Sequence, residues 1–376
     1  MDITRAAFGS WNGGRFMHFG QALDEGRWVA TVQQAWSLGI RTFITADVYG
    51  AGEADRLLGR ALSGYRRDSY CLVGAVGHDF YATRRDGAKG YPRFTDPSLR
   101  NPRDFGAYVR MATERSLERL GVGRLDLLLL HNPDSIGYGS DAVWDAMRLV
   151  RDEGLTERLG VAPGPANGFT LDLLQCFERF HEVIDAAMII LSPLEPWPGL
   201  LPLAAARAFD VQVMTRVVDH GGIFHDDVQP GHRFGPSDHR SYRAPGWVEA
   251  GCEKLEQLRP IAVRHGLTPL QMACAWNLAQ APVRCVVPTL IEEVSGKPIE
   301  RKIEELATIP EVTFSPEELG VIARTGDNTG CMALKGANPA HVGDPEPDRW
   351  ALTPDLLQTA ARWGIDPMVD LSYRHG

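Results

Sequence analysis

Short apolar runs alternate along the chain with longer stretches in which apolar positions recur every three or four residues. The first pattern predicts buried strands and the second amphipathic helices. Strands are expected at Ala7–Trp11, Arg41–Ala46, Tyr70–Val76, Leu125–Leu130, Arg158–Ala162, Ala187–Leu191, Val211–Arg216 and Arg284–Pro288. Helices are expected between them: Asp24–Leu38, Glu53–Leu62, Pro102–Leu120, Ser140–Asp152, Leu171–His181, Leu201–Phe209, Trp247–His265 with Leu267–Ala279, and Pro298–Ala307. Thr268-Pro269 places a capping hydroxyl before a proline at the first helical position. Such a succession predicts an α/β protein whose parallel sheet closes into a (β/α)8 TIM barrel. No Pro/Gly-rich linker interrupts it, so residues 1–325 are read as the barrel and 326–376 as a C-terminal extension packed on it.

Composition narrows the partners more than the fold. Of 376 residues, 44% are hydrophobic and 23% charged, enough apolar matter for a full core. The formal charge is −9 and no basic arm or acidic tail appears, which argues against nucleic acid. The opening MDITRAAFGSWNGGRF lacks the apolar run of a secretory signal, and no apolar stretch is long enough to span a membrane. A cytoplasmic protein with a small-molecule substrate is the expectation; the oligomeric state is left open. The six cysteines are scattered without zinc spacing and read as reduced thiols. Lysine occurs at only five positions, 89, 254, 297, 302 and 335, so lysine chemistry has few candidates.

In a barrel of this kind the reactive groups belong at the C-terminal ends of the strands. The second strand runs out at Thr45-Ala46-Asp47-Val48-Tyr49-Gly50, where a tyrosine is placed to give a phenolic proton to a carbonyl oxygen. LDLLLL ends in His131-Asn132-Pro133-Asp134, and a histidine there suits the same oxygen. Long loops follow the third strand (Gly77–Arg100) and the seventh (Val217–Gly246) and read as covers for a pocket. The second of them carries four histidines and four aspartates between 219 and 239, including His220 and His225. These are ligands for a divalent metal, or polar groups of a lid that meets a hydroxylated substrate. His78-Asp79, after the third strand, is open to the same two readings.

These segments carry a resemblance to the aldo-keto reductase superfamily. GIRTFITADVYGAGEADRLLGRAL resembles that family's second-strand signature, RLDLLLLHNPD its fourth-strand signature and Gly9-Ser10-Trp11 its opening, with matching order over about residues 5 to 325. The resemblance implies an oxidoreductase that lays NADP(H) or NAD(H) across the strand exits and works with an Asp, Tyr, Lys and His tetrad. Tyr49 and His131 match the tyrosine and histidine. The aspartate position is Ile44 and the lysine position, in CLVGAVG, is Ala75. The two losses are consistent with each other, because an unpaired lysine beside an apolar slot is costly. Asp47 lies three residues along a period-2 strand from Ile44 and faces the other way.

The resemblance also implies a small-residue turn for the diphosphate after the eighth strand, where this chain has Pro288-Thr289-Leu290-Ile291-Glu292-Glu293. Arg301 falls where the family holds an adenosine 2′-phosphate and Glu304 where it holds adenine. Lys297 and Arg301 near a helix start suit an anion, or form an exposed salt-bridged face. The family's serine, asparagine and glutamine at the nicotinamide are not recovered around Leu191-Ser192-Pro193, and its seventh-strand serine is Val217. Trp11, Lys297, Arg301 and Glu304 are thus the nucleotide candidates, and His78, Asn132, His220 and His225 the substrate candidates. Lys335 from the C-terminal segment, or Lys89, is a candidate replacement cation. The functional expectation is an oxidoreductase with an incomplete tetrad, acting on the carbonyl or alcohol of a sugar-like or hydroxylated aromatic molecule. The alternative keeps the barrel but uses Tyr49 and His131 for elimination, hydration or isomerisation, with or without a metal.

Overall fold

The computed structural model describes residues 1–85, 90–164, 169–331 and 352–372. Eight strands form one sheet in chain order: β1 (Ala7–Gly9), β2 (Thr42–Ile44), β3 (Cys71–Val76), β4 (Leu127–His131), β5 (Leu159–Ala162), β6 (Ala186–Ile190), β7 (Gln212–Arg216) and β8 (Val283–Val287). Every neighbouring pair is parallel, with registers such as Gly9 on Ile44, Ala75 on Leu129, His131 on Ala162 and Arg216 on Val287. A bridge between Ala6 and Val286 joins the two edges, the Val286 N–H donating to the Arg5 carbonyl at 2.9 Å. The barrel is therefore closed, the expected (β/α)8 architecture.

Helices α1 (Glu25–Ser37), α2 (Glu53–Leu62), α3 (Phe105–Leu120), α4 (Ser135–Gly139), α5 (Asp141–Asp152), α6 (Thr170–Phe180), α7 (Leu203–Ala208), α8 (Trp247–Arg264), α9 (Pro269–Leu278) and α10 (Ile299–Ala307) accompany the strands. The Thr268 hydroxyl accepts from Gln271 N–H and starts α9 with Pro269 in its first turn, as its sequence predicts. The five-residue α4 is not foreshadowed by any apolar period; Asp134 starts it by accepting from Gly137 N–H at 2.8 Å. Further on come α11 (Pro316–Gly326), α12 (Pro354–Arg362) and α13 (Pro367–Asp370). Residue Glu178 on α6 holds α12 by accepting from Arg362 Nε at 2.8 Å and Trp363 Nε1 at 3.0 Å. No helix among the described residues is long and apolar enough to cross a membrane.

Alternation along the strands sorts the core into two layers. Leu128 and Leu130 join the shell under the helices, with Trp28 and Trp144, whereas Leu127 and Leu129 point into the barrel. The interior layer also contains Ile44, Val73, Ala75, Met188, Met214 and Val287, and Trp11 and Tyr49 pack on it. Ile44 and Ala75 are thus part of the apolar filling of the barrel.

Candidate active site

Tyr49 opens a short 3-10 turn beyond β2, and His131 is the last residue of β4. Their rings stand at 88° with centroids 5.7 Å apart. Trp11, beyond β1, meets the tyrosine at 6.2 Å and 75°, and His78, beyond β3, meets the histidine at 5.1 Å and 72°. Four strand exits therefore contribute one ring each. Two glycines allow this approach: a Cβ on Gly9 would collide with the Trp11 indole, and one on Gly77 with the His131 carbonyl oxygen.

Both central groups are neutral at physiological pH. Burial pushes the Tyr49 hydroxyl up to about 12, with Arg216 pulling it back and Asp47 adding to the rise. Burial also holds His131 well below the ordinary imidazole value, reinforced by His78, Arg93 and Arg216, and its Nδ1 is buried without a hydrogen-bond partner. His78 is held down at about 3 by burial and by Arg93. Asp47 does not replace the absent aspartate. It accepts from the Tyr81 hydroxyl at 3.3 Å, and its carboxyl is pushed well up by burial and by Asp55.

His78 and Asn132, two of the substrate candidates, are in contact. Asn132 Nδ2 donates to His78 Nε2 at 3.0 Å, and Arg93 Nη1 lies 2.9 Å from His78 Nδ1. Arg93 Nε also donates to the Asn132 carbonyl, and Tyr108 donates to the His78 carbonyl at 2.8 Å. The backbone of Asn132 is left-handed, at φ 49°. The loop after β3 is thereby tied across the mouth of β4 by side chains rather than by secondary structure.

The histidines of the loop after β7 disperse. His220 donates to Glu195 at 2.9 Å, where Arg243 also binds at 3.0 Å; although burial raises it, the Arg243 charge and the His220 contact hold that carboxyl down at about 2. His225 is buried and donates from Nε2 to the Thr289 carbonyl at 2.8 Å. His232 lies 3.5 Å from Glu293, and His239 packs on Phe19. Among the described residues no three His, Cys, Asp or Glu side chains are grouped as metal ligands. The metal expectation is corrected accordingly: the ligand types are present, but each is spent on anchoring the loop. Lys335 and Lys89 lie outside the described residues.

A dinucleotide is tested most sharply by the turn after β8. Several of its N–H donors are already used from within: Thr289 N–H donates to Asp219 at 2.6 Å, Leu290 N–H to Asn12 at 2.9 Å, Lys297 N–H to Asp227 at 3.1 Å and Ile299 N–H, at the start of α10, to Glu292 at 2.9 Å. Cations nearby are matched as well. Arg27 grips Glu292 and Glu300 at 2.6 and 2.8 Å, Arg240 holds Asp238 at 2.7 Å and also Glu293, and Lys302 pairs with Asp227. Lys297, Arg301 and Glu304 do line one open groove of about 670 Å³ along α10, but Lys297 is paired with Glu305 and Arg301 with Glu304, each at 2.7 Å. Trp11 is spent on the Tyr49 contact. The protein's own carboxylates stand where a diphosphate needs open donors, so this turn does not fit the dinucleotide in the arrangement observed.

Arg216 and Arg93 escape sequence reasoning altogether. Arg216 ends β7, donates from Nη2 to the Pro163 carbonyl at 2.8 Å and is followed by Val217 at φ 61°, a rare conformation for a β-branched residue. Its place at the exit end of a strand was the available signal.

The chain belongs to the Aldo/keto reductase family, whose profile matches residues 7–318. Among curated proteins it is 28% identical over 192 residues to a D-threo-aldose 1-dehydrogenase from a Pseudomonas species, a match spanning 47% of this chain and 57% of that protein's length. It is also 25% identical over 317 residues to a putative voltage-gated potassium channel subunit beta of Schizosaccharomyces pombe, spanning 77% of this chain and 85% of the relative. Among solved structures, the glycerol dehydrogenase of Gluconobacter oxydans superposes with a TM-score of 0.68 at 20% identity, covering 92% of this chain and 96% of that one. An aldo/keto reductase from Klebsiella pneumoniae in complex with NADP and acetate gives 0.56 at 21% identity, covering 89% and 93%. These structural likenesses establish the fold.

Proposed function

We propose that this chain is an enzyme acting on the carbonyl or alcohol of a polar, sugar-like small molecule, with Tyr49 giving the proton and His131 polarising the oxygen. The observation that carries the reading is the edge-on contact of Tyr49 and His131 at the barrel mouth, both uncharged. A phenol raised to about 12 keeps its proton at neutral pH and serves as an acid. A neutral imidazole donates a hydrogen bond to the same oxygen without adding a charge that burial would oppose.

Family membership and the names of the dehydrogenase relatives support oxidoreduction, with NADPH or NADH as the redox partner that such a reaction calls for. A second reading, enolisation, elimination or isomerisation without a nucleotide, is favoured by the closed diphosphate turn. Titration of the protein with NADPH and NADH, followed by nicotinamide fluorescence and heat of binding, separates the two. Micromolar binding with a preference for NADPH supports oxidoreduction and a phosphate contact at Arg301. Absence of binding up to millimolar nucleotide sinks it and leaves the acid–base reading.

A further inference from the structure

The most buried arginines elsewhere in this barrel have carboxylate partners, whereas half-buried Arg41 bonds only the Trp36 and Ile40 carbonyls. Arg100 pairs with Asp79 at 2.7 Å, Arg240 with Asp238 at 2.7 Å and Arg243 with Glu195 at 3.0 Å. Such pairing is the rule, because an uncompensated buried charge is costly. Arg216 and Arg93, both half-buried, depart from it, and the charges of both reach His131. Among the described residues no carboxylate oxygen comes within 4.0 Å of either guanidinium. Asp134, the acidic group that bears on Arg93, is engaged by Thr95 at 2.7 Å, and Glu195, which bears on Arg216, is held by Arg243 and His220.

The two cations have donors to spare. Among the described residues Arg216 uses one of its five N–H groups, on the Pro163 carbonyl. Arg93 donates to the carbonyls of Asn132 and Tyr91 and lies against His78, and among the described residues its Nη2 makes no hydrogen bond. Their charges both reach His131 and Tyr138, and the Tyr138 hydroxyl and His131 Nδ1 are buried atoms without partners. The residues adjoining the cations are strained, Val217 at φ 61° after Arg216 and Asn132 at φ 49° under Arg93. Strain of this kind persists where the surroundings hold a group in a working position.

We infer that Arg216 and Arg93 receive an oxyanion carried by the substrate, so that the pocket selects acidic hydroxylated carbon chains, sugar acids or sugar phosphates, over neutral sugars. The inference rests on the placement of the reaction at Tyr49 and His131, and it names the substrate class for that site. A pair of unmatched guanidinium groups attracts an anion into the mouth, and their planar forks suit carboxylate and phosphate alike.

Calorimetric titration of the full chain with gluconate, glucuronate, glucose 6-phosphate and glucose tests this without requiring turnover. At least one acidic compound is expected to bind at least about tenfold more tightly than glucose, with gluconate and glucuronate against glucose 6-phosphate identifying the anion. Arg216→Met is expected to weaken that compound roughly 10- to 100-fold and to leave glucose unchanged. Arg216→Lys, which keeps the charge and loses the fork, is expected to fall between them, and guards against a folding defect in the first variant. Equal binding of acidic and neutral sugars, no binding of any acidic compound, or a weakening by Arg216→Met of NADPH but not of the acids would overturn the inference. Failure of catalysis at Tyr49 with the anion preference intact would count against the proposed reaction and not against this site.

Discussion

The Tyr49 ring stands at 88° to that of His131, 5.7 Å away, on an interior layer that includes Ile44 and Ala75. Those two side chains are barrel packing, and Arg216 is the cation whose charge reaches the phenol. The proposed chemistry then uses an acid that stays protonated rather than a tuned phenolate.

Tyr49→Phe removes the proton and keeps the ring that packs on Trp11 and His131. The expected result is a loss of about 10²- to 10⁴-fold in kcat/KM with the unfolding temperature nearly unchanged. Steady-state kinetics beside a thermal melt checks both parts.

Activity that depends on the protonated phenol should be flat through neutral pH and fall only as the medium approaches the raised value of about 12. His131 and His78 are both lowered, so no inflection is expected near the ordinary imidazole value of 6.5. A pH–rate profile recorded up to the alkaline stability limit reads this directly.

Stability carries the opposite signature. His78 is held at about 3 in the folded chain against an ordinary 6.5, so the unfolded chain binds the proton more tightly in that window. Its contribution is complete above 6.5 and is lost progressively as pH falls from 6.5 towards 3, with His131 acting in the same direction. Urea midpoints measured at about pH 7.5 and about pH 5 should show the lower value in acid.

Ala75→Lys alone should be severely destabilising, by about 3–5 kcal/mol, because it buries an unpaired ammonium in the apolar layer that contains Ile44. Joined with Ile44→Asp it should cost less than the sum of the two single changes. Denaturant melts of the three variants give the coupling.

Glu292→Gln weakens the grip on Arg27 and leaves the Ile299 N–H at the start of α10 without a charged partner. If the diphosphate turn is closed by internal carboxylates, this variant should bind NADPH about tenfold more tightly than the native chain. Nicotinamide fluorescence titration measures the ratio, and an unchanged affinity would locate the obstacle elsewhere.

The barrel was legible because parallel strands buried on both faces read as unbroken apolar runs. Leu127–His131 differs from the expected Leu125–Leu130 only at its ends, where pairing and not composition decides. Tyr49 and His131 were legible for the same reason, as polar residues that end such runs. The loop after β7 was not: its sequence shows four histidines, but their directions follow from long-range contacts. Asp238 binds Gly20 N–H at 2.9 Å and holds Arg240, and these turn the histidines into anchors. Arg216 looked ordinary in sequence because Arg41, Arg158 and Arg284 also adjoin strands. The expected strand Val211–Arg216 already ends at this arginine while the others begin at theirs, but its lack of a carboxylate among the described residues follows only from the folded contacts.

The most direct test is to incubate the native chain and Tyr49→Phe in parallel with a panel of neutral and acidic hydroxycarbonyl compounds, with and without NADPH, and to follow conversion by proton NMR. The account predicts that the native chain converts at least one compound and that Tyr49→Phe does so at least about a hundredfold more slowly. Conversion at equal rates by both proteins would contradict it.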